Sequence, residues 1–166
     1  MQLSHYETKF NTYSFPIVII CDGLSSPFNI GGIFRIGDAF GIEQIIFLNA
    51  HKDLGKRFKK TSRSAEKYIP YSIEDSFERV HEDLKKKEYQ FIVLEITSKS
   101  QSLNRLSVNP KRPIALVIGS ENFGVSQDIL DTIKTQKHID MYGVNSSMNV
   151  VQSVAIALYE ITNQLK

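Results

Sequence analysis

Cysteine is almost absent from this sequence, since Cys21 is the only one among 166 residues. A single cysteine excludes an internal disulfide framework and a zinc site built from several thiolates. The four histidines do not have the spacing of a metal-binding motif such as H-E-x-x-H. We therefore expect neither disulfides nor a bound metal ion.

Long apolar stretches are absent as well. No run approaches the ~20 apolar residues that span a bilayer, and the first 14 residues lack the apolar segment of a signal peptide. The content of 42% hydrophobic and 23% charged residues is ordinary for a globular protein. We expect a cytoplasmic protein without membrane contact, with residues 1–166 in a single domain and residues 1–14 as an N-terminal extension.

The net charge is only +2, too small to indicate a nucleic-acid partner by itself, but it is unevenly distributed. Between Lys52 and Lys67, two acidic residues accompany seven basic ones: Lys52, Lys56, Arg57, Lys59, Lys60, Arg63 and Lys67. We call residues 52–67 the basic segment. A concentrated positive charge on a near-neutral protein can contact phosphates, although a lone charge run is more often a solvated loop.

Apolar segments rich in β-branched residues predict six strands, at residues 17–21, 44–48, 68–71, 90–96, 114–118 and 138–141. Several are continuous rather than alternating, which is typical of strands covered on both faces. Helical spacing lies between them and after them, in residues 73–84, 125–133 and 150–161. This alternation predicts an α/β domain with a mostly parallel sheet and helices on both faces. In such sheets, ligands bind beyond the carboxyl ends of the strands.

Residues 22–35 join the first predicted strand to a helix, for which Asn29 is the predicted N-cap. The glycines here do not form G-x-G-x-x-G, and no P-loop lysine follows, which disfavours a nucleotide-cofactor oxidoreductase. Asn29 and Arg35 are the remaining candidate functional residues. Taken alone, an amphipathic helix with a solvated arginine also explains them.

Two later segments also connect a strand to a helix. Residues 119–124 place two glycines around Glu121, forming a tight loop whose backbone amides can bind polar ligand atoms. A plain β–α turn is the alternative. Residues 139–149 crowd four polar side chains before an apolar helix: Asn145, Ser146, Ser147 and Asn149. Four exceed what a helix cap needs, so this segment predicts a ligand site.

In their order and spacing, these segments closely resemble the three motifs of the SpoU (TrmH-type) branch of the SPOUT RNA methyltransferases. Residues 29–35, NIGGIFR, match N-x-x-x-I-x-R; residues 119–124, GSENFG, match the second motif; residues 147–160, SMNVVQSVAIALYE, match the third. Residues 60–65 and 68–70 are also similar to a family segment. The resemblance runs from about Ile17 to Leu165. One departure is Val151, where many members have serine.

The resemblance implies an α/β fold with a C-terminal trefoil knot. Many family members carry an extra N-terminal RNA-binding domain, which we do not expect in residues 1–166. The resemblance implies a homodimer, with the C-terminal helix at or near the interface and each active site drawing on both subunits. It also implies S-adenosylmethionine-dependent methylation of ribose 2′-hydroxyls in tRNA or rRNA. The residues that the match assigns to the cofactor are Ile96, Gly119, Ile139, Ser147 and Met148.

By the same resemblance, Arg35 activates the ribose hydroxyl. Because a guanidinium stays protonated, we interpret Arg35 mainly as a phosphate clamp and electrostatic stabiliser, with action as a general base as the less favoured alternative. The residues expected to hold Arg35 and the ribose are Asn29, Glu121, Ser147 and Asn149. The predicted RNA contacts are Arg35, Lys56, Arg57, Lys59, Lys60 and Arg63. The alternatives are a non-catalytic RNA- or cofactor-binding protein on the same fold, and methylation of a base instead of a ribose.

Overall fold

The computed structural model describes residues 11–50 and 54–166. The predictions for residues 1–10, and those for Lys52 and Asp53 in the basic segment, lie outside this range. The strands are β1 (Phe15–Asp22), β2 (Ile42–Leu48), β3 (Tyr71–Glu74), β4 (Gln90–Leu94), β5 (Gln101–Ser102), β6 (Ile114–Ile118) and β7 (Gln136–His138). The α-helices are α1 (Pro27–Ala39), α2 (Phe58–Ser62), α3 (Phe77–Lys86), α4 (Gln127–Thr132) and α5 (Val150–Leu165).

The strands form one sheet in the order β3-β2-β1-β6-β4-β7-β5, and every pair is parallel. The centre of the sheet is β1 beside β6, where Ile17 lies opposite Ile114 and Cys21 opposite Ile118. All five residues of β6 are buried, which explains its uninterrupted apolar sequence. The predicted parallel α/β architecture is confirmed.

Successive residues of β1 point to opposite faces of the sheet, and each face has its own core. Ile17 and Ile19 pack in a cluster with residues of α1 and α5, whereas Val18 and Ile20 pack with residues of α3 and α4. Helices therefore cover both faces, as predicted. Cys21 is fully buried, and burial raises the pKa of its thiol well above the ordinary value.

The strand predicted at residues 68–71 is wrong except for its last residue. The N–H groups of Tyr68 and Ile69 both donate to the Ala65 carbonyl, in a turn after a short 3₁₀ helix at Ala65–Lys67. These donors are thereby lost to the sheet ladder. The strand begins only at Tyr71, and Ile73 belongs to it rather than to the following helix.

The other differences concern strand ends. The strand predicted at 90–96 ends at Leu94, and the one predicted at 138–141 lies instead at Gln136–His138. The short edge strand β5 was not predicted. Both β5 and β7 consist of polar residues, so their sequences carry no apolar signal.

The last strand in the chain, β7, lies between β4 and β5, which precede it in the sequence. The last strand therefore inserts between two strands that earlier parts of the chain form. This order is compatible with the trefoil knot implied by the resemblance, and the knot itself stays a prediction. Among the described residues, no helix combines the length and apolar character needed to cross a membrane.

Candidate active site

A cavity of about 490 Å³ lies at the carboxyl ends of β4, β6 and β7. Its walls come from residues 94–96, from the loop after β6 and from the segment between β7 and the first turn of α5. Its position is the one expected for a ligand site in a parallel sheet, and its volume lies within the range of about 300–1,000 Å³ typical of ligand pockets. The residues predicted to contact the cofactor all line it: Ile96, Gly119, Ile139, Ser147 and Met148.

The loop after β6 is closed on itself by hydrogen bonds. The Ser120 N–H donates to the Gly124 carbonyl (3.2 Å), and the Gly124 N–H donates to the Ser120 carbonyl (2.9 Å). Gly124 has a φ of 64°, a conformation that favours glycine. A Cβ atom on Gly119 would lie 2.0 Å from the Gly124 carbonyl carbon. Both glycines are therefore required by the closed form of the loop.

Two carboxylates fix the far end of this loop. The Glu95 carboxylate accepts hydrogen bonds from the N–H groups of Val125 (3.2 Å) and Ile96 (2.8 Å). Asp22, only 4% exposed, accepts from the Ser126 N–H and from Asn49 Nδ2, both at 2.8 Å. Neither was predicted as a site residue. An acidic residue where an apolar strand ends is the signal that could have identified them.

Asn149 joins the third motif to the first. Its Oδ1 accepts from the Val151 N–H (2.9 Å) and so caps α5, while its Nδ2 donates to Asn29 Oδ1 (3.0 Å). Asn149 lines the cavity, so this bond connects α1 to the cavity wall. The prediction that Asn29 caps α1 is wrong: Ser26 is the N-cap and Pro27 opens the helix, as proline often does. Asn29 lies within the helix, and its side chain bonds to Asn149 instead.

The structure brings some predicted catalytic residues together but not all of them. Glu121 and Ser147 are exposed on the cavity lining, beside Asn149. Arg35 is exposed on α1 and does not line this cavity. Arg35 lies six positions after Asn29, so their side chains leave the helix about 120° apart. The two residues of the first motif therefore point in different directions.

The described part of the basic segment is anchored on α1. Phe58 is buried and stacks on Phe34, with ring centroids 5.3 Å apart. The Ser62 hydroxyl donates to Glu66, and this hydrogen bond, with the nearby charges of Lys59 and Lys67, lowers the pKa of Glu66. The cations predicted to contact RNA are all exposed: Lys56, Arg57, Lys59, Lys60 and Arg63.

A polar cluster connects the region of the edge strand β5 to the end of β7 and the residues directly after it. Ser100 Oγ lies 2.9 Å from His138 Nδ1, and His138 Nε2 lies 3.4 Å from Asp140 Oδ1. The Ser102 hydroxyl also donates to Asp140. His138 lines the cavity, so the cluster supports the wall that β7 contributes. Within residues 11–50 and 54–166, no group of three or more His, Cys, Asp or Glu side chains is placed to hold a metal ion.

The chain is similar in sequence to known proteins and similar in fold to solved structures. A protein from Synechocystis sp., named an uncharacterized tRNA/rRNA methyltransferase, is 30% identical over 156 residues, which are 90% of this chain and 38% of the relative. A tRNA (guanosine(18)-2′-O)-methyltransferase from Aquifex aeolicus is 27% identical over 148 residues, 89% of this chain and 69% of the relative. The chain spans less than two thirds of the length of several such relatives.

Among solved structures, the SpoU methyltransferase AviRb from Streptomyces viridochromogenes in complex with the cofactor AdoMet superimposes with a TM-score of 0.79. The identity is 22%, and the match covers 93% of this chain and 59% of that one. This likeness supports the fold. The model of the SpoU rRNA Methylase family matches residues 16–159, nearly the whole chain, and confirms the resemblance found in the three motifs. The protein belongs to the SpoU rRNA methylase family.

Proposed function

We propose that this protein transfers a methyl group from S-adenosylmethionine to a ribose 2′-hydroxyl of a tRNA or rRNA. The observation that carries the proposal is the cavity beyond β4, β6 and β7, which is lined by every residue predicted to contact the cofactor. The names of the relatives support it: the Aquifex protein is a 2′-O-methyltransferase, and the AviRb structure contains AdoMet.

The residues of the cavity fit this cofactor. Ile96, Ile139 and Met148 offer apolar surface for an adenine ring and a thioether-bearing chain. Gly119 lines the cavity, and its lack of a side chain allows the loop that forms this part of the wall to close. When bound, S-adenosylmethionine supplies an electrophilic methyl group on a sulfonium.

The chain's own residues then have to position the ribose. Asn149, held by the cap of α5 and by its bond to Asn29, presents a fixed amide at the cavity wall, beside Glu121 and Ser147. Fixed positioning of a reacting hydroxyl contributes much of the acceleration in such transfers. Arg35 contributes a permanent positive charge, which suits it to hold the phosphate next to the reacting ribose.

A homodimer is part of the proposal, because Arg35 does not line the cavity of its own chain. The outer face of α5 exposes Ile156 (41%) and Tyr159 (63%), apolar side chains that a second copy could cover. Each active site would then combine residues from both copies. The contacts of the basic segment with RNA, the single-domain organisation of residues 1–166 and the cytoplasmic location also belong to this proposal.

The test is transfer of labelled methyl from S-adenosylmethionine to tRNA and rRNA, followed by alkaline digestion. We expect alkali-resistant 2′-O-methyl linkages, whereas base methylation would leave every linkage cleavable. Arg35→Ala should lower kcat by about 10²-fold or more, the usual loss when an electrostatic contact to the reacting group is removed. Its affinity for S-adenosylmethionine should be unchanged.

Arg79→Ala is the matched control, because Arg79 is also an exposed helical arginine but lies on α3. It should retain the wild-type rate. A near-normal rate for Arg35→Ala would disprove the role given to that residue. If no RNA accepts methyl, the alternative of a non-catalytic RNA- or cofactor-binding protein replaces the proposal.

A further inference from the structure

A second cavity, of about 320 Å³, lies beside β5 and β7 and is distinct from the first. Four of the nine residues that line it are basic and none is acidic; the basic ones are Lys99, Arg105, Lys134 and Lys137. None of them was predicted as a site residue. We call this the basic cavity.

Lys137 is the most unusual member, because a lysine is rarely as buried as this one. It is only 6% exposed and lies on β7. Its Nζ donates to Gln101 Oε1 (3.0 Å) and to the Arg105 carbonyl (3.2 Å), both of which are uncharged acceptors. Among the described residues, no carboxylate forms an ion pair with it.

A buried ammonium with only neutral partners is energetically costly, and an anion would offset that cost. An ammonium has three N–H donors, and the two hydrogen bonds leave one for a ligand. Lys137 therefore has both the charge and the free donor that an anion requires.

The other three cations strengthen this preference. Lys99, Arg105 and Lys134 are exposed around the cavity. A concave surface lined by charges of one sign concentrates the electrostatic field and attracts ions of the opposite sign. Lysine and arginine together suit the oxygens of a phosphate group, through point charge and bidentate hydrogen bonds respectively.

The basic cavity is next to the candidate active site. Lys137 lines the basic cavity, and its neighbour His138 lines the first cavity, so β7 contributes to both. Because consecutive strand residues point to opposite faces of the sheet, the two side chains reach these cavities from opposite sides of β7. A polymer with a phosphate beside each ribose could enter both cavities by crossing the sheet edge that β5 forms. We propose that the basic cavity binds a backbone phosphate of the RNA whose ribose enters the first cavity. This inference rests on the proposed function.

The experiment measures RNA binding by the full chain at several salt concentrations, without S-adenosylmethionine. Total tRNA and rRNA fragments suffice, because phosphate contacts do not depend on sequence. The variants are Lys137→Gln and Arg105→Gln, and the control is Lys87→Gln, which removes an equal charge at the end of α3. Each of the first two should reduce the slope of log affinity against log salt by about 1, and the control should not.

Two further measurements identify the ligand. Inorganic phosphate should compete with RNA for the wild type, and more weakly for Lys137→Gln. The affinity for S-adenosylmethionine should be unchanged in every variant. Thermal unfolding checks that Lys137→Gln is folded, and the exposed Arg105 provides a second variant if it is not.

The outcomes separate clearly. Unchanged salt slopes for both variants would overturn the proposal. If phosphate binding depends on Lys137 but RNA binding does not, the cavity binds a free phosphate compound. If the variants lose affinity for S-adenosylmethionine, the cavity belongs to the cofactor site. Either result would overturn the assignment to RNA. This experiment measures binding and not turnover. An absence of methyl transfer would therefore refute the proposed function without changing the interpretation of the binding data.

Discussion

The substitution Gly119→Ala tests the closed loop after β6 most directly. The added Cβ would lie 2.0 Å from the Gly124 carbonyl carbon and 2.3 Å from both the Gly124 oxygen and the Val125 nitrogen. All three are backbone atoms, so no side-chain rotation can relieve the overlap. The loop must open, although Glu95 and Asp22 hold its far end through the N–H groups of Val125 and Ser126.

The size of the effect follows from what opening breaks. The two hydrogen bonds between Ser120 and Gly124 contribute about 0.5–1.5 kcal/mol each, and overpacking typically costs about 1–3 kcal/mol. Opening the loop relieves the overlap, so the two costs are alternatives and are not added. We expect the free energy of unfolding to fall by about 1–3 kcal/mol. For a chain of this size, each kcal/mol lowers Tm by about 2–4 °C, so Tm should fall by about 2–12 °C.

Thermal unfolding followed by circular dichroism, together with calorimetric titration of S-adenosylmethionine, checks both consequences. Gly119 lines the cavity, so Kd for the cofactor should rise about tenfold or more, equivalent to about 1.4 kcal/mol. The control is Gly143→Ala, because a Cβ at that position meets nothing within 4 Å; its stability should stay within about 0.5 kcal/mol of wild type. A Gly119→Ala protein with wild-type Tm and Kd would refute the closed loop.

Two other substitutions test separate contacts. Asn149→Asp keeps the oxygen that caps α5 but places an acceptor opposite Asn29 Oδ1. Its Tm should stay near wild type, whereas its methyl-transfer rate should fall. Asn149→Ala loses both hydrogen bonds and should also lose about 1 kcal/mol of stability. Equal rates for Asn149→Asp and wild type would contradict the positioning role. Burial and the hydrogen bond to Glu43 raise the pKa of Tyr89 to about 12, above the value of about 10 in an unfolded chain. The free energy of unfolding should therefore fall between about pH 10 and 12, because the Tyr89 hydroxyl loses its proton at lower pH in the unfolded state than in the folded one. In urea titrations over this range, the fall should be weaker for Tyr89→Phe.

The sequence allowed the central part of the sheet to be predicted because its strands are buried on both faces. In β6 the predicted and observed bounds coincide, since every residue is apolar and buried. The edge was harder to predict for the opposite reason. In β7, Gln136 and Lys137 are buried, but they are polar residues that form hydrogen bonds, so hydrophobic periodicity does not identify them.

The positions of the loops that line the cavity were also predictable, because they follow from where strands end. The contact between Asn29 and Asn149 was not, because they are 120 positions apart in the sequence and no local pattern indicates which helices pack together. The packing of α1 on α5 also explains the departure from the family motif at Val151. A Cβ on Gly32 would lie 2.6 Å from Val151 Cγ2, so the valine fills the space that the glycine leaves.

The same packing determines what Arg35 can do. The bond to Asn149 directs Asn29 toward the cavity, and helical geometry then turns Arg35 about 120° away. Because both side chains belong to one helix, rotating α1 would not reduce this angle, and it would break that bond and the contact of Gly32 with Val151. If Arg35 contacts the substrate phosphate, it must therefore do so where RNA extends beyond the cavity of its own chain or at the cavity of a second copy. Mixing Arg35→Ala with a variant defective in the cavity, such as Gly119→Ala, distinguishes these cases, because only sites shared between copies can regain activity in the mixed dimer.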